Sequence, residues 1–141
     1  MSADPHRTVT ITRTSAGRYT AVNGRGGVLD FGTGDVDEFT PVELFLAAIG
    51  GCTAVDVDVL TTRRAEPESF VVQVDAEKVR DADGNRMDEL SVTFRLKFPE
   101  GEGGDAARDL LPDAVKRSHD RLCTVSRTVE LGTPVATRIE D

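Results

Sequence analysis

The chain has 141 residues, which favours one domain spanning residues 1–141, and its 38% hydrophobic and 30% charged residues are the proportions of a folded globular protein. A formal net charge of −8, with no tryptophan and one tyrosine, argues against nucleic acid and anionic membranes as partners, since their recognition needs clustered Lys and Arg or stacking aromatics.

The N-terminus, Met1-Ser2-Ala3-Asp4-Pro5-His6-Arg7, has no apolar segment behind a basic start, so a cytoplasmic location without a secretory leader is expected. Residues 7–31 read as β structure. Thr8-Val9-Thr10-Ile11-Thr12 alternates with period two in strand-favouring residues, Ala16-Gly17 marks a turn, and Tyr19 to Val22 is a second strand. Asn23-Gly24 is a hairpin signal, because both residues tolerate positive φ, and Val28-Leu29-Asp30-Phe31 is a third strand. Gly24-Arg25-Gly26-Gly27 lacks the Lys-Ser/Thr and the helix of a phosphate loop and reads as a hairpin turn. An acidic loop, Gly32 to Glu38, leads onward.

Thr40-Pro41-Val42-Glu43-Leu44 opens a long helix. Thr40 is its cap, Pro41 suits the first helical position, Glu43 completes a capping box, and Phe39 can staple onto Leu44. From Leu44 to Val55 there is no charge, so this half needs cover on every side; the run is too short for a membrane span of ~20 residues and is expected to be a buried core helix. Gly50-Gly51 precede Cys52 at a cost of ~1 kcal/mol each, which predicts close approach by another element. Asp56 and Asp58 make the later part amphipathic, Arg63 and Arg64 suit its C-terminal end, and Pro67 stops it. Residues 41–64 would run ~36 Å, long enough to predict that a second subunit helps to cover them.

Phe70, Val72, Val74 and Ala76 share one face of a further strand. Asp81 to Asn85 is turn-rich. Leu90, Val92, Phe94, Leu96 and Phe98 then alternate with Ser91, Thr93, Arg95 and Lys97, the pattern of a sheet with one wet face. After a loop from Pro99 to Gly104, residues 105–122 read as a second helix with Leu111, Ala114, Val115, Ser118 and Leu122 at helical spacing and Cys123 at its end. Val125 to Val129 reads as a short turn. Gly132-Thr133-Pro134 breaks it, and Val135, Thr137 and Ile139 are expected to form a last strand. The order of elements is α+β.

Cys52 and Cys123 are the candidate chemical groups, and they form no CxxC motif. One reading makes both small buried hydrophobes; the other makes them reactive. A buried thiol has a raised pKa unless a cation is near, and Cys52 is too far from its helix N-terminus for the dipole to help. His6 and His119 read as a chain end and an exposed helix position, with no metal site.

The segments Pro41 to Thr53 and Leu122-Cys123-Thr124-Val125-Ser126-Arg127-Thr128-Val129 together resemble the OsmC/Ohr family of osmotically induced and organic-hydroperoxide-resistance proteins. The first is similar to the family's Pro-x-Glu-Leu…Gly-Gly-Cys helix and the second to its Cys-Pro-Val-Ser segment, and the likeness in spacing and element order runs along nearly the whole chain. The resemblance implies an α+β fold in which antiparallel sheets wrap around long central helices in an intertwined homodimer. It also implies a thiol peroxidase site at the subunit interface, serving the oxidative stress response. On it Cys52 resembles the peroxidatic thiol and Cys123 the resolving one, with a hydroperoxide as substrate, an external dithiol as reductant and no metal, flavin or haem. An arginine of the N-terminal strands steadies the thiolate in such proteins; Arg18 best matches that position and Arg25 is the alternative. Family members carry a carboxylate directly after the proline to orient that arginine. Here Val42 stands there, while Glu43, the carboxylate of the implied site, is one residue on, about 100° around the helix. Thr124 stands where the family has proline. These departures point to the broader OsmC-like branch. A peroxidase is therefore the leading expectation, a ligand-binding protein without enzymatic activity the second, and a structural dimer with inert cysteines the third.

Overall fold

The computed structural model describes residues 4–140; part of the N-terminal stretch read above, residues 1–3, lies outside them. The chain divides into two compact units, one running to Phe45 and the other starting at Leu46.

The first unit is a three-stranded antiparallel sheet of β1 (Val9–Ser15), β2 (Arg18–Asn23) and β3 (Val28–Gly32), in that order. Tyr19 and Phe31 face each other across β2 and β3 with ring centroids 5.6 Å apart and stacked. The loop from β2 to β3 is longer than Asn23-Gly24 suggests. Its positive φ falls on Gly26, and the Asn23 side chain accepts the N–H groups of Arg25 and Gly27, both at 2.9 Å. Asn23 thus acts as an acceptor for the loop rather than as its left-handed residue.

Helix α1 (Pro41–Thr62) begins in the first unit and continues into the second. The capping box forms: Thr40 N–H donates to the Glu43 carboxylate at 2.9 Å, and Glu43 N–H to Thr40 Oγ1 at 3.2 Å. The helix is not buried all round, however. Its buried residues, Ile49, Gly50, Thr53, Val57 and Thr61, make one stripe at i, i+4 spacing. On the opposite face Ala48, Gly51, Val55 and Val59 are exposed, Val55 by 63%. By length and composition alone α1 would pass for a membrane span. Its packing is that of a core helix on one side: a Cβ built on Gly50 would lie 2.5 Å from Val74 Cγ2, whereas one on Gly51 would meet nothing within 4 Å. The close approach expected for the glycine pair exists only at Gly50, and a side chain makes it.

In the second unit β4 (Ser69–Asp81) and β5 (Gly84–Lys97) form one long antiparallel hairpin, longer than the alternation alone suggests. The Asp81 carboxylate closes its turn by accepting the N–H groups of Asp83 and Gly84, at 2.9 and 3.1 Å. The register slips between Asp75 and Glu77, opposite Glu89, a non-glycine residue at φ 52, so the strand carries a bulge there. Beyond it Val92, Phe94 and Leu96 turn inward as their alternation predicts, and Phe98 is buried. Helix α2 (Glu102–Arg117) starts three residues earlier than its apolar spacing suggests, and α3 (Thr124–Glu130) is a helix where a short turn was expected. The last strand does not form. Residues 133–140 have no regular structure, and Val135 and Ile139 are 88% and 98% exposed. Alternation makes a strand only where a neighbour supplies the ladder of hydrogen bonds, and among the described residues none does.

Candidate functional site

Between α2 and α3 the chain makes a π-helical segment, Ser118–Leu122. Such a turn closes with an i→i+5 bond, here from Cys123 N–H to the Ser118 carbonyl at 2.8 Å. The wide turn leaves Cys123 extended, at φ −74 and ψ 100, as the N-cap of α3. Its sulfur replaces the usual oxygen cap. It accepts the Ser126 N–H at 3.4 Å and donates to Ser126 Oγ at 3.2 Å. Cys123 is fully buried and Cys52 half-buried.

Cys52 lies near enough to Cys123, Val125 and Thr124 for each of them to act on its thiol. Burial pushes the Cys52 thiol up; the Val125 N–H opposes this; the Cys123 thiol pushes it further up, as partner and as charge; the Thr124 N–H again opposes. The net direction is upward.

Next to this pair lies a buried polar chain. Thr53, which follows Cys52 on α1, has its hydroxyl 2.6 Å from that of Ser118, and Ser118 Oγ donates to Asp56 Oδ2 at 2.8 Å. A serine hydroxyl has one proton. With that proton on Asp56, the Thr53 hydroxyl donates to Ser118. The sequence placed Ser118 on the apolar stripe of the second helix; a hydroxyl on that stripe was the available signal, and Thr53 and Asp56 on α1 gave none.

A cavity of about 260 Å³ opens on the Thr53 side, walled by Ile49, Val92, Phe94 and Val129 with Ser126 among its polar points. His119 and Glu130 also line it, with Nε2 2.8 Å from Oε1, while His119 Nδ1 lies 3.1 Å from Asp120 Oδ1. The Asp120 carboxylate, then Glu130, hold the His119 pKa above its ordinary value. Asp120 is in turn paired with Lys116. Among the described residues no group of three or more His, Cys, Asp or Glu is arranged to hold a metal ion.

The other two residues of the expected site have their described partners in the first unit. Arg18, at the start of β2, is paired through Nη2 with the Glu38 carboxylate. Glu43 is engaged in the cap with Thr40. Arg25 lies in the loop after β2, where its backbone N–H is held by Asn23.

The OsmC family profile, described as OsmC-like protein, matches residues 32–138. An uncharacterised protein of Mycobacterium tuberculosis is 30% identical over 132 residues, covering 93% of this chain and 94% of its own. Among solved structures, an OsmC-like protein of unknown function from Vibrio cholerae superposes with a TM-score of 0.73 at 13% identity, over 90% of this chain and 95% of its own. A hypothetical protein from Aquifex aeolicus gives 0.72 at 21%, over 92% and 91%. The organic hydroperoxide resistance protein OhrB of Bacillus subtilis gives 0.53 at 15%, over 87% and 90%. At these identities the structures speak to the fold, which they share with this α+β chain.

Proposed function

The chain belongs to the OsmC-like protein family, and from that premise we propose that residues 1–141 act as one domain of a dimeric, cytoplasmic thiol peroxidase that reduces organic hydroperoxides. What supports the reading is that Cys123, at the head of α3, acts on the Cys52 thiol although the two lie far apart in sequence. In the proposed reaction the Cys52 thiolate attacks the peroxide O–O bond. The outer oxygen stays on sulfur as a sulfenic acid, and the alkoxide leaves and takes a proton to become the alcohol. The Cys123 thiol then displaces that oxygen as water and forms the disulfide. An external dithiol resets the pair by exchange and leaves as its own disulfide. The cation of this proposal is Arg18, for which Glu38 supplies a carboxylate although position 42 is valine. Glu43 contributes through the cap that fixes where α1 begins. The partly apolar cavity beside Thr53 and Ser126 suits a substrate with an apolar body.

Consumption of cumene hydroperoxide with dithiothreitol tests the reading. Wild type is expected to turn over, Cys52→Ser to stop, and Arg18→Ala to slow by tenfold or more. Equal rates for wild type and Cys52→Ser would end it. A second reading is favoured by the upward push on Cys52 together with the cavity: a protein without enzymatic activity that holds a small apolar ligand there. On that reading the purified chain carries a ligand visible in native mass spectrometry and consumes no peroxide.

A further inference from the structure

We infer that the Ser118 hydroxyl, held between Thr53 and Asp56, sets how closely the Cys123 sulfur approaches Cys52, and with it the effective concentration of the disulfide-forming pair. The inference rests on reading the two cysteines as a redox pair. Ser118 is the first residue of the π-helical segment, and its carbonyl takes the Cys123 N–H at 2.8 Å. Its hydroxyl reaches α1 at the residue after Cys52, 2.6 Å from Thr53 Oγ1, and at Asp56 Oδ2, 2.8 Å away. Two short links therefore run from Thr53, the neighbour of Cys52, through Ser118 to Cys123.

Disulfide geometry tolerates little slack: Cβ atoms must lie ~3.5–4.5 Å apart. A wide turn is a flexible place to carry one of the two sulfurs unless something pins it. Thr53 and Ser118 are both buried, and among the described residues no buried side-chain N or O is left without a partner. A satisfied polar chain inside a core fixes one arrangement more sharply than apolar packing does. Packing alone would have been met by alanine and valine at these two positions.

The test separates pairing of the thiols from peroxide chemistry by using oxidised glutathione as the oxidant. The Cys52 thiolate attacks one glutathione sulfur and releases one glutathione thiolate, leaving a mixed disulfide. The Cys123 thiolate then attacks the Cys52 sulfur and expels the second. Two electrons pass from the protein thiols to glutathione, and the two thiol protons end on the two released glutathiones. The full chain is equilibrated across glutathione redox buffers as wild type, Ser118→Ala, Thr53→Val and Asp56→Asn, with quenched samples counted by mass spectrometry and thermal unfolding followed in parallel.

Ser118→Ala and Thr53→Val are expected to lower the effective concentration of the pair at least tenfold and to accumulate the mixed disulfide, because the equilibrium of the second step becomes less favourable and that of the first does not. Asp56→Asn, which keeps an accepting oxygen, is expected to stay close to wild type. Thr53→Val preserves shape, so it carries the test if Ser118→Ala folds poorly. Lower melting temperatures with an unchanged effective concentration would overturn the inference, since the hydroxyls would then be structural only. A wild type that closes the disulfide with glutathione yet consumes no hydroperoxide overturns the peroxidase reading and not this one. A wild type that never closes it overturns both.

Discussion

At Cys52 burial and a second thiol act against ionisation, and two backbone N–H groups act for it. Alkylation by iodoacetamide reports the balance, because only the thiolate reacts. The rate at Cys52 is expected to rise with pH to a midpoint above the ordinary thiol range. Cys123→Ala is expected to move that midpoint down, because the upward push of the neighbouring thiol is gone; a midpoint that does not move would mean that the two sulfurs are not coupled. His119 gives a different signature. Its pKa is raised in the folded chain by Asp120 and Glu130, so its contribution to stability is fully present below the unfolded value of ~6.5 and is lost as pH rises through the folded one. Melting temperature should therefore decline from pH 6 towards pH 8, and His119→Gln should flatten that part of the curve. The pair is exposed to solvent, so salt should weaken the effect as well.

Among the elements, α1 shows most clearly what a sequence discloses. Its start is legible because Thr40 and Glu43 sit within one turn, and the bonds they make depend on nothing else. Its burial is not legible to the same degree. An uncharged run says that cover is needed, but not which face receives it from the same chain. Gly50 and Gly51 are indistinguishable on paper, yet one faces Val74 and the other open space. Gly50→Ala should gain ~1 kcal/mol of helix propensity and lose about 1–3 kcal/mol to overpacking, since valine is stiff at χ1, so the urea midpoint is expected to fall. The inward face of β5 is legible beyond the bulge for the opposite reason: a two-residue period names the face directly. The missing strand at 135–139 and the π-helical turn before Cys123 share one cause of illegibility. Each depends on what lies across from it, an absent edge in the first case and α1 in the second, and no local spacing encodes that.

For the molecule as a whole, the stripe Ala48, Gly51, Val55 and Val59 is apolar and open along a helix whose other side is packed. The proposed occupant is the same stripe of a second copy, for which the small residues Ala48 and Gly51 allow close contact. Sedimentation equilibrium at micromolar concentration is expected to give twice the chain mass, and Val55→Asp with Val59→Asp to give the mass of one chain. Wild type sedimenting at one chain mass would remove the dimer. Gly51→Ala adds a thermodynamic check. It should stabilise an unpaired chain by ~1 kcal/mol and destabilise a paired one, with the reversal depending on protein concentration.

On the proposed peroxidase reading, the unequal accessibility of the two sulfurs would also dictate the regiochemistry of reduction. Cys123 is fully enclosed and Cys52 only partly. In that proposed reaction an incoming dithiol would strike the bridge at Cys52, where its adduct would form, and Cys123 would be the departing thiolate. A reductant serving the proposed reaction would then have to fit the approach to α1, whatever its own fold.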